Sequence, residues 1–221
     1  MPNNYGANIR NKKVLEIEPI VAANAQKAQE IQDLGGAYIV MACGLWYEWS
    51  LAAGEEWFGF DIKNRKVTFT DDGLTKIWTS TWEQCGRGLA ALLSLPVHKD
   101  KAGSNGLALE QFKNDQIILE SFRVNQRDML DSLHRVLGTT DADWDIRSEP
   151  RQKRLEDGQR DMMNGDVAAF AKQLYAKLMR PEAQELEVEG IEKKLGLPKE
   201  SLDEATKRAV DMAEGDWTPF G

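Results

Sequence analysis

Apolar residues recur at helical spacing through PIVAANAQKAQEIQDL (19–34), with proline in the first turn and Gly35-Gly36 as a left-handed stop, so the pattern predicts a helix there. The next segment, AYIVMACG (37–44), is almost unbroken in apolar character and closes on glycine, as does a strand covered on both faces of a parallel sheet. Helix, glycine turn and buried strand make one repeat of an α/β sheet. Past the strand's carboxyl end comes LWYEWSLAAGEEWFGF (45–60), rich in aromatics. Open α/β sheets hold ligands in the crevice at that end. The same spacing also suits an amphipathic helix with Leu45, Trp46 and Trp49 inward, and the two readings are compatible.

Farther on, RKVTFTDDGLTKIWTS (65–80) alternates, turns at Asp-Asp-Gly and runs apolar again, which predicts a hairpin-like β pair. STWEQCGRGLAALLSLP (80–96) reads as a helix with Ser80 and Glu83 as capping box, Trp82, Cys85, Leu89, Leu92 and Leu93 as its inner face, and Pro96 beyond its end. After a polar loop, DQIILESFRV (115–124) is a strand. NQRDMLDSLHRVLG (125–138) is a helix with Asn125 as N-cap, Met129, Leu130, Leu133, Val136 and Leu137 as its stripe, and Gly138 as its left-handed end. DWDI (143–146) is a short strand. Helices follow over 151–163, from Asp166 with Val167, Phe170, Leu174 and Leu178 inward, and over 201–214; the acidic stretch 180–194 has the weakest pattern.

The chain has 221 residues, 42% of them apolar, enough for one domain or one with an appendage. A net charge of −8, with no basic stripe, excludes a nucleic-acid surface. No apolar run approaches the length of a membrane span, and no secretory leader is visible. Cys43 and Cys85 form no metal spacing and suit a reducing cytosol as buried thiols, so a cytoplasmic location is expected. Four of the seven tryptophans (Trp46, Trp49, Trp57, Trp78) fall close together, which points to an aromatic-walled pocket or an aromatic packing face.

Several chemistries lack their residues. There is no nucleophile elbow, no P-loop and no GxGxxG after a strand. His98 and His134 lie far apart on polar patterns and read as exposed bystanders, so no metal centre is expected. Asp141, Asp143 and Asp145 have the opening spacing of a calcium loop, but Ile146 and Gln152 stand where that loop needs Gly and Glu.

The order PNNYG (2–6), helix, GGAYIVMACGLWYEWSL (35–51), KVTFTDDGLTKIWTSTWEQCGRGLAALLSLP (66–96) and SFRVNQRDMLDSLHRVLGTTDADW (121–144) resembles the isoflavone reductase-like, NmrA-like branch of atypical short-chain dehydrogenases, fungal members most of all. The resemblance covers most of residues 1–180 and again about 195–212. It implies an α/β fold: the C-terminal part of a Rossmann-type parallel sheet over residues 1–60, and a substrate-binding α+β domain with C-terminal helices over 61–221. Pro2, Asn3, Tyr5 and Gly6 then correspond to the turn beside the nicotinamide of NADP or NAD. Leu45, Trp46, Tyr47 and Trp49 correspond to the segment closing over nicotinamide and substrate. The family's glycine-rich loop would precede Met1, so this chain by itself is expected not to bind the dinucleotide.

Reductases of the family carry a catalytic lysine eleven residues before the glycine that closes the helix; counting back from Gly35 gives Asn24. Asparagine donates hydrogen bonds but has no charge and no proton to give at useful pKa. Lys27, three residues on, is the substitute candidate. The resemblance therefore implies an NAD(P)-dependent oxidoreductase-like protein for a small aromatic or carbonyl substrate, impaired at Asn24. A non-catalytic NmrA-like sensor of NAD(P), or a truncated fragment with no ligand of its own, are the alternatives.

Overall fold

The computed structural model describes residues 6–101, 106–185 and 190–219. In chain order the elements are α1 (Lys12–Ile17), α2 (Pro19–Asp33), β1 (Ile39–Ala42), β2 (Leu45–Trp46), α3 (Tyr47–Ala52), β3 (Phe60–Asp61), β4 (Lys66–Thr70), β5 (Ile77–Ser80), α4 (Trp82–Leu93), β6 (Asp115–Ile118), β7 (Phe122–Val124), α5 (Gln126–Leu137), β8 (Asp145–Glu149), α6 (Arg151–Met163), α7 (Ala169–Leu178), α8 (Ile191–Lys194) and α9 (Leu202–Glu214). The result is a mixed α/β fold with parallel strand pairs and flanking helices, as expected.

The strands form three small sheets among the described residues, in the orders β1–β6, β2–β5–β7 and β3–β4–β8. The expected hairpin over 65–80 does not form: β4 and β5 belong to different sheets. Alternation marks a strand without naming its partner, and the Asp71-Asp72-Gly73 turn sends the chain elsewhere. Asp71, at φ 55°, gives its N–H to Glu149 O of β8 (2.8 Å), and Gly73 lies at φ 73°. The strand expected over 115–124 is likewise two, β6 and β7, parted at Leu119–Ser121.

The chain divides into two discontinuous units. The first takes the described residues up to Leu45, Thr79–Ser121 and those of 185–199; the second takes Trp46–Trp78, Phe122–Gln184 and the described residues from Glu200 on. The boundary expected after residue 60 falls inside the second unit. Parallel pairing accounts for the interleaving, because the partner of β1 can arrive only after a long crossover.

In the first unit, β1 pairs with β6 in parallel, Ile39 opposite Asp115 and Ala42 opposite Ile118. The crossover carries α4, whose N-cap is Thr81, accepting from Gln84 N (2.9 Å), while the Ser80 hydroxyl donates to Leu119 O (2.8 Å). Ser80 is thus a strand end and not the cap. The inner face of α4 is Cys85, Gly88 and Leu92; Trp82 and Leu93 are exposed, the latter by 67%. A Cβ on Gly88 would stand 2.9 Å from Leu119 Cδ2, so the helix approaches closer than alanine permits, and the stripe turns toward Gly88.

In the second unit, β3 runs antiparallel and β8 parallel to β4. Gln126, at the start of α5 and 2% exposed, bonds three backbone groups: its Oε1 accepts Thr70 N–H (2.8 Å), and its Nε2 donates to Phe58 O (2.8 Å) and Thr68 O (3.1 Å). Gly59 lies at φ 88°, and a Cβ there would meet Thr68 O at 2.3 Å. The helix α5 carries Asn125 as N-cap and Gly138 as left-handed C-cap, and buries Met129, Leu130 and Leu133. The helix expected from Asp166 starts at Ala169; Val167 is 83% exposed and the inward residues include Ala169, Ala171, Tyr175 and Leu178.

Candidate functional site

The first unit contributes the carboxyl end of β1. Gly44, at φ 68°, turns the chain there, and the N–H groups of Cys43 and Gly44 both donate to Gly6 O at 3.1 Å. Gly6 therefore sits beside the strand end where α/β sheets place ligands. Pro2, Asn3 and Tyr5 lie outside the described residues.

The same unit encloses a cavity of about 580 Å³ between one face of α2, the strand segment Tyr38–Met41 and α4. Asn24, Ala28 and Ile31 line it from α2 at i, i+4 and i+7. Lys27, one residue before Ala28, is exposed and is not part of the lining. The lining is mostly apolar apart from Asn24, Tyr38, His98, Glu110 and Lys113. His98 Nδ1 meets Glu110 Oε2 at 3.0 Å, and together with the Lys99 N–H it holds that carboxyl below its ordinary pKa. His134 is not the bystander expected of it. Its side chain is only 13% exposed, bonded to Thr139 and Asp141 and set edge-on to Trp144.

The second unit contributes the aromatic segment from Trp46 on. Leu45 and Trp46 make the short strand β2, both half-buried, and α3 follows at once. Trp49 stands at the centre of an aromatic cluster, edge to face with Trp46 (6.2 Å between centroids), Trp57 (4.1 Å) and Trp217 (6.3 Å). Trp57 goes on to Tyr175 at 5.2 Å. All four indoles are half-buried, so an aromatic ledge is part covered and part open to solvent. Trp78 is not part of it, being 3% exposed within β5. Trp217 is the member that spacing did not reveal. An isolated tryptophan three residues past the end of α9 was its one local signal.

Tyr47 requires a correction. Its ring is fully buried against Phe122, and its hydroxyl meets Thr206 Oγ1 at 2.7 Å, so it is a core residue with no face for a substrate. Burial raises its pKa strongly, outweighing the bond to Thr206. The chain of polar groups continues from Thr206 to Ser132 (2.7 Å), Asp203 (2.7 Å) and Arg135 (2.6 Å). Glu48, the next residue on α3, is 3% exposed and pairs with Arg208 of α9 at 2.7 Å. Burial raises its pKa, the arginine lowers it, and burial prevails. These contacts fasten α3 to α9 and so fix the helix that carries Trp49.

Three helix amino ends offer no open cradle for the phosphates of a dinucleotide. The amino ends of α1, α2 and α4, where backbone N–H groups would cradle a pyrophosphate, are taken by the side chains of Asn11, Glu18 and Thr81. The Glu18 carboxylate would also repel phosphate. No group of three or more metal-ligating side chains occurs among the described residues, and no helix among them is long and apolar enough to cross a membrane.

No protein-family model and no curated relative matches the chain. Solved structures do. The chain is similar to an isoflavone reductase, with a TM-score of 0.71 and 15% identity over 94% of this chain and 64% of that one. It is similar to the leucoanthocyanidin reductase–NADPH binary complex from Vitis vinifera, with a TM-score of 0.66 and 10% identity over 95% of this chain and 64% of that one. It is also similar to the Citrobacter sp. triphenylmethane reductase complexed with NADP(H), with a TM-score of 0.62 and 14% identity over 93% and 63%. The fold is thus that of the Rossmann-like reductases, and the chain spans less than two thirds of the length of these structures.

Proposed function

We propose that this chain is the substrate-side portion of an NAD(P)-dependent oxidoreductase-like protein of the isoflavone reductase and NmrA-like type, a fungal-type member, working in the cytoplasm on a small aromatic or carbonyl compound. The observation that carries the reading is the placement of the tryptophan ledge in the segment that directly follows β1. The chain leaves the strand's carboxyl end at Gly44, runs through Leu45 and Trp46, and presents Trp49 one turn into α3. Half-buried indoles meeting edge to face offer flat apolar surface to a planar ring.

By the resemblance, Gly6, with its carbonyl on Cys43 and Gly44, stands for the nicotinamide side in this reading, together with Pro2, Asn3 and Tyr5, which precede it in sequence. Leu45, Trp46 and Trp49 stand for the substrate side, and Tyr47 holds the helix from within.

Asn24 favours a second reading, a non-catalytic sensor. By the resemblance Asn24 stands at the position of the family lysine, an amide where a reductase would need a cation to stabilise charge growing on the substrate oxygen, and Lys27 is not part of the cavity lining. Titration of tryptophan fluorescence with a planar phenolic enone tests ligand binding by the ledge, and linear, unsaturable quenching would defeat the first reading. Loss of NADPH absorbance with the same compound separates the two. Oxidation of NADPH supports the enzyme, and saturable binding of NADPH without oxidation supports the sensor.

A further inference from the structure

The two cysteines sit next to each other in the first unit, although 42 residues separate them in sequence. Cys43 ends the run that begins in β1, on the same side of the strand as Met41 two residues before it. Cys85 lies in the first turn of α4, on the same face as Gly88 three residues later. The close approach of Gly88, whose Cβ position is 3.6 Å from Met41 Sδ, brings that helix face onto that side of the strand. One step up the strand and one turn back along the helix, Cys85 is the group that acts most strongly on the Cys43 thiol. Both are free thiols.

They differ in access. Cys43 is fully buried and its thiol also points to Met41 O at 3.8 Å, whereas Cys85 retains 9% exposure and is followed by Gly86, which has nothing within 4 Å of its Cβ position. Of the two, Cys85 is the less deeply buried.

We propose that Cys43 and Cys85 are a reversible dithiol–disulfide pair, oxidised by low-molecular-weight disulfides, that pins the first turn of α4 to the carboxyl end of β1. The Cys85 thiolate attacks one sulfur of the small disulfide and breaks its S–S bond. One small thiolate leaves and takes up the proton that Cys85 lost. Cys43, as thiolate, then attacks Cys85 Sγ, and the second small thiolate leaves with the proton from Cys43. Two protein thiols are oxidised by two electrons, one small disulfide is reduced to two thiols, and protons balance. The consequence is local to the site, because the Cys43 and Gly44 N–H groups hold Gly6 O. A bond at Cys43 stiffens the turn that the proposed function places beside the nicotinamide, but the pair itself stands independently of that reading.

Cys85 hydrogen bonding, followed by burial, pushes the Cys43 thiol well above its ordinary pKa.

The test is to incubate the native chain with oxidised glutathione, alkylate what remains free, and map peptides. The expected product is a Cys43–Cys85 cross-linked peptide in monomeric protein, with intact mass lower by two hydrogens and full recovery on adding dithiothreitol. C43S is expected to stop at a glutathione mixed disulfide on Cys85, and C85S to remain unmodified. Far-UV circular dichroism confirms that each sample is folded, and the wild-type map alone decides if a variant is not. Two free thiols after prolonged oxidation of the folded wild type, a mixed disulfide that persists at Cys85, or cross-links only between molecules would each overturn the proposal.

Discussion

Gln126→Leu is the most informative single change for the scaffold under the aromatic ledge. The side chain is buried and holds three backbone groups at once: Thr70 N–H, Phe58 O and Thr68 O. Leucine fills most of the same space and bonds none of them. Stranding a buried polar group costs about 1–3 kcal/mol. Taking the N–H near the upper figure and the carbonyls, which have second lone pairs, near the lower gives roughly 4–5 kcal/mol. The apolar isostere returns about 1–2 kcal/mol through burial, which leaves a net loss of roughly 3 kcal/mol. With a urea slope near 2 kcal/mol/M, the unfolding midpoint should fall by about 1.5 M at constant slope.

Gln126→Glu sharpens the test. It keeps the acceptor for Thr70 but loses both donors and sets a carboxylate against two carbonyls. Its ionisation in the folded state is unfavourable, so its folded pKa lies above the unfolded one. Its stability should therefore fall as pH rises from about 4 to 7 relative to wild type. Phe58 follows Trp57 directly, so both variants should also red-shift the tryptophan emission as that loop loosens. A midpoint change in Gln126→Leu worth less than about 1 kcal/mol, with an unaltered slope, would show that these three bonds contribute little to the fold.

Gly59→Ala should lose more than about 2 kcal/mol in the same urea assay, because φ is 88° and the new Cβ would meet Thr68 O at 2.3 Å. Gly54→Ala, at φ 109° with nothing within 4 Å, isolates the backbone strain and should lose only about 1 kcal/mol; equal losses would show that the Thr68 contact carries no cost. Asp141 is held at a pKa of about 2 against the usual 3.8, first by the Arg127 guanidinium and then by His134. A lowered folded pKa means that this pair stabilises the fold above about pH 4 and that the contribution disappears as pH falls toward 2. Asp141→Asn should flatten that acid limb in thermal melts, and an unchanged limb would show that the pair is screened out by solvent.

Elements whose whole definition is local were legible in the sequence. The helix α5 shows its N-cap, its apolar stripe and its terminal glycine within Asn125–Gly138, and each of them forms as expected. The strand β1 was legible because a run buried on both faces has no polar alternation to misplace. What failed depended on partners distant in sequence. Strands β4 and β5 look like two arms of a hairpin until Asp71 bonds to Glu149, 78 residues away. The face of α4 was misjudged because a glycine, invisible to any hydrophobic pattern, sets how closely the helix approaches Leu119.

The site divided the same way. The aromatic density after β1 was plain, but its membership was not. Tyr47 belongs to the core because Thr206 meets its hydroxyl, and Trp217 joins the ledge because α9 packs on α3. Asn24 is visible only by counting from Gly35, and the cavity that it lines shows just as the spacing Asn24, Ala28, Ile31.

The central claim, that the tryptophan segment after β1 is a substrate ledge, is tested most directly by fluorescence titration of the wild-type chain and Trp49→Ala with 4-hydroxychalcone. Trp49 contacts three other indoles, and Trp49→Phe serves as the control that keeps an aromatic face in place. The account predicts saturable quenching in the wild type, largely kept in Trp49→Phe and weakened at least ten-fold in apparent affinity in Trp49→Ala, a loss of about 1.4 kcal/mol or more. Saturable quenching of equal affinity in all three proteins, or unsaturable quenching in the wild type, would contradict it.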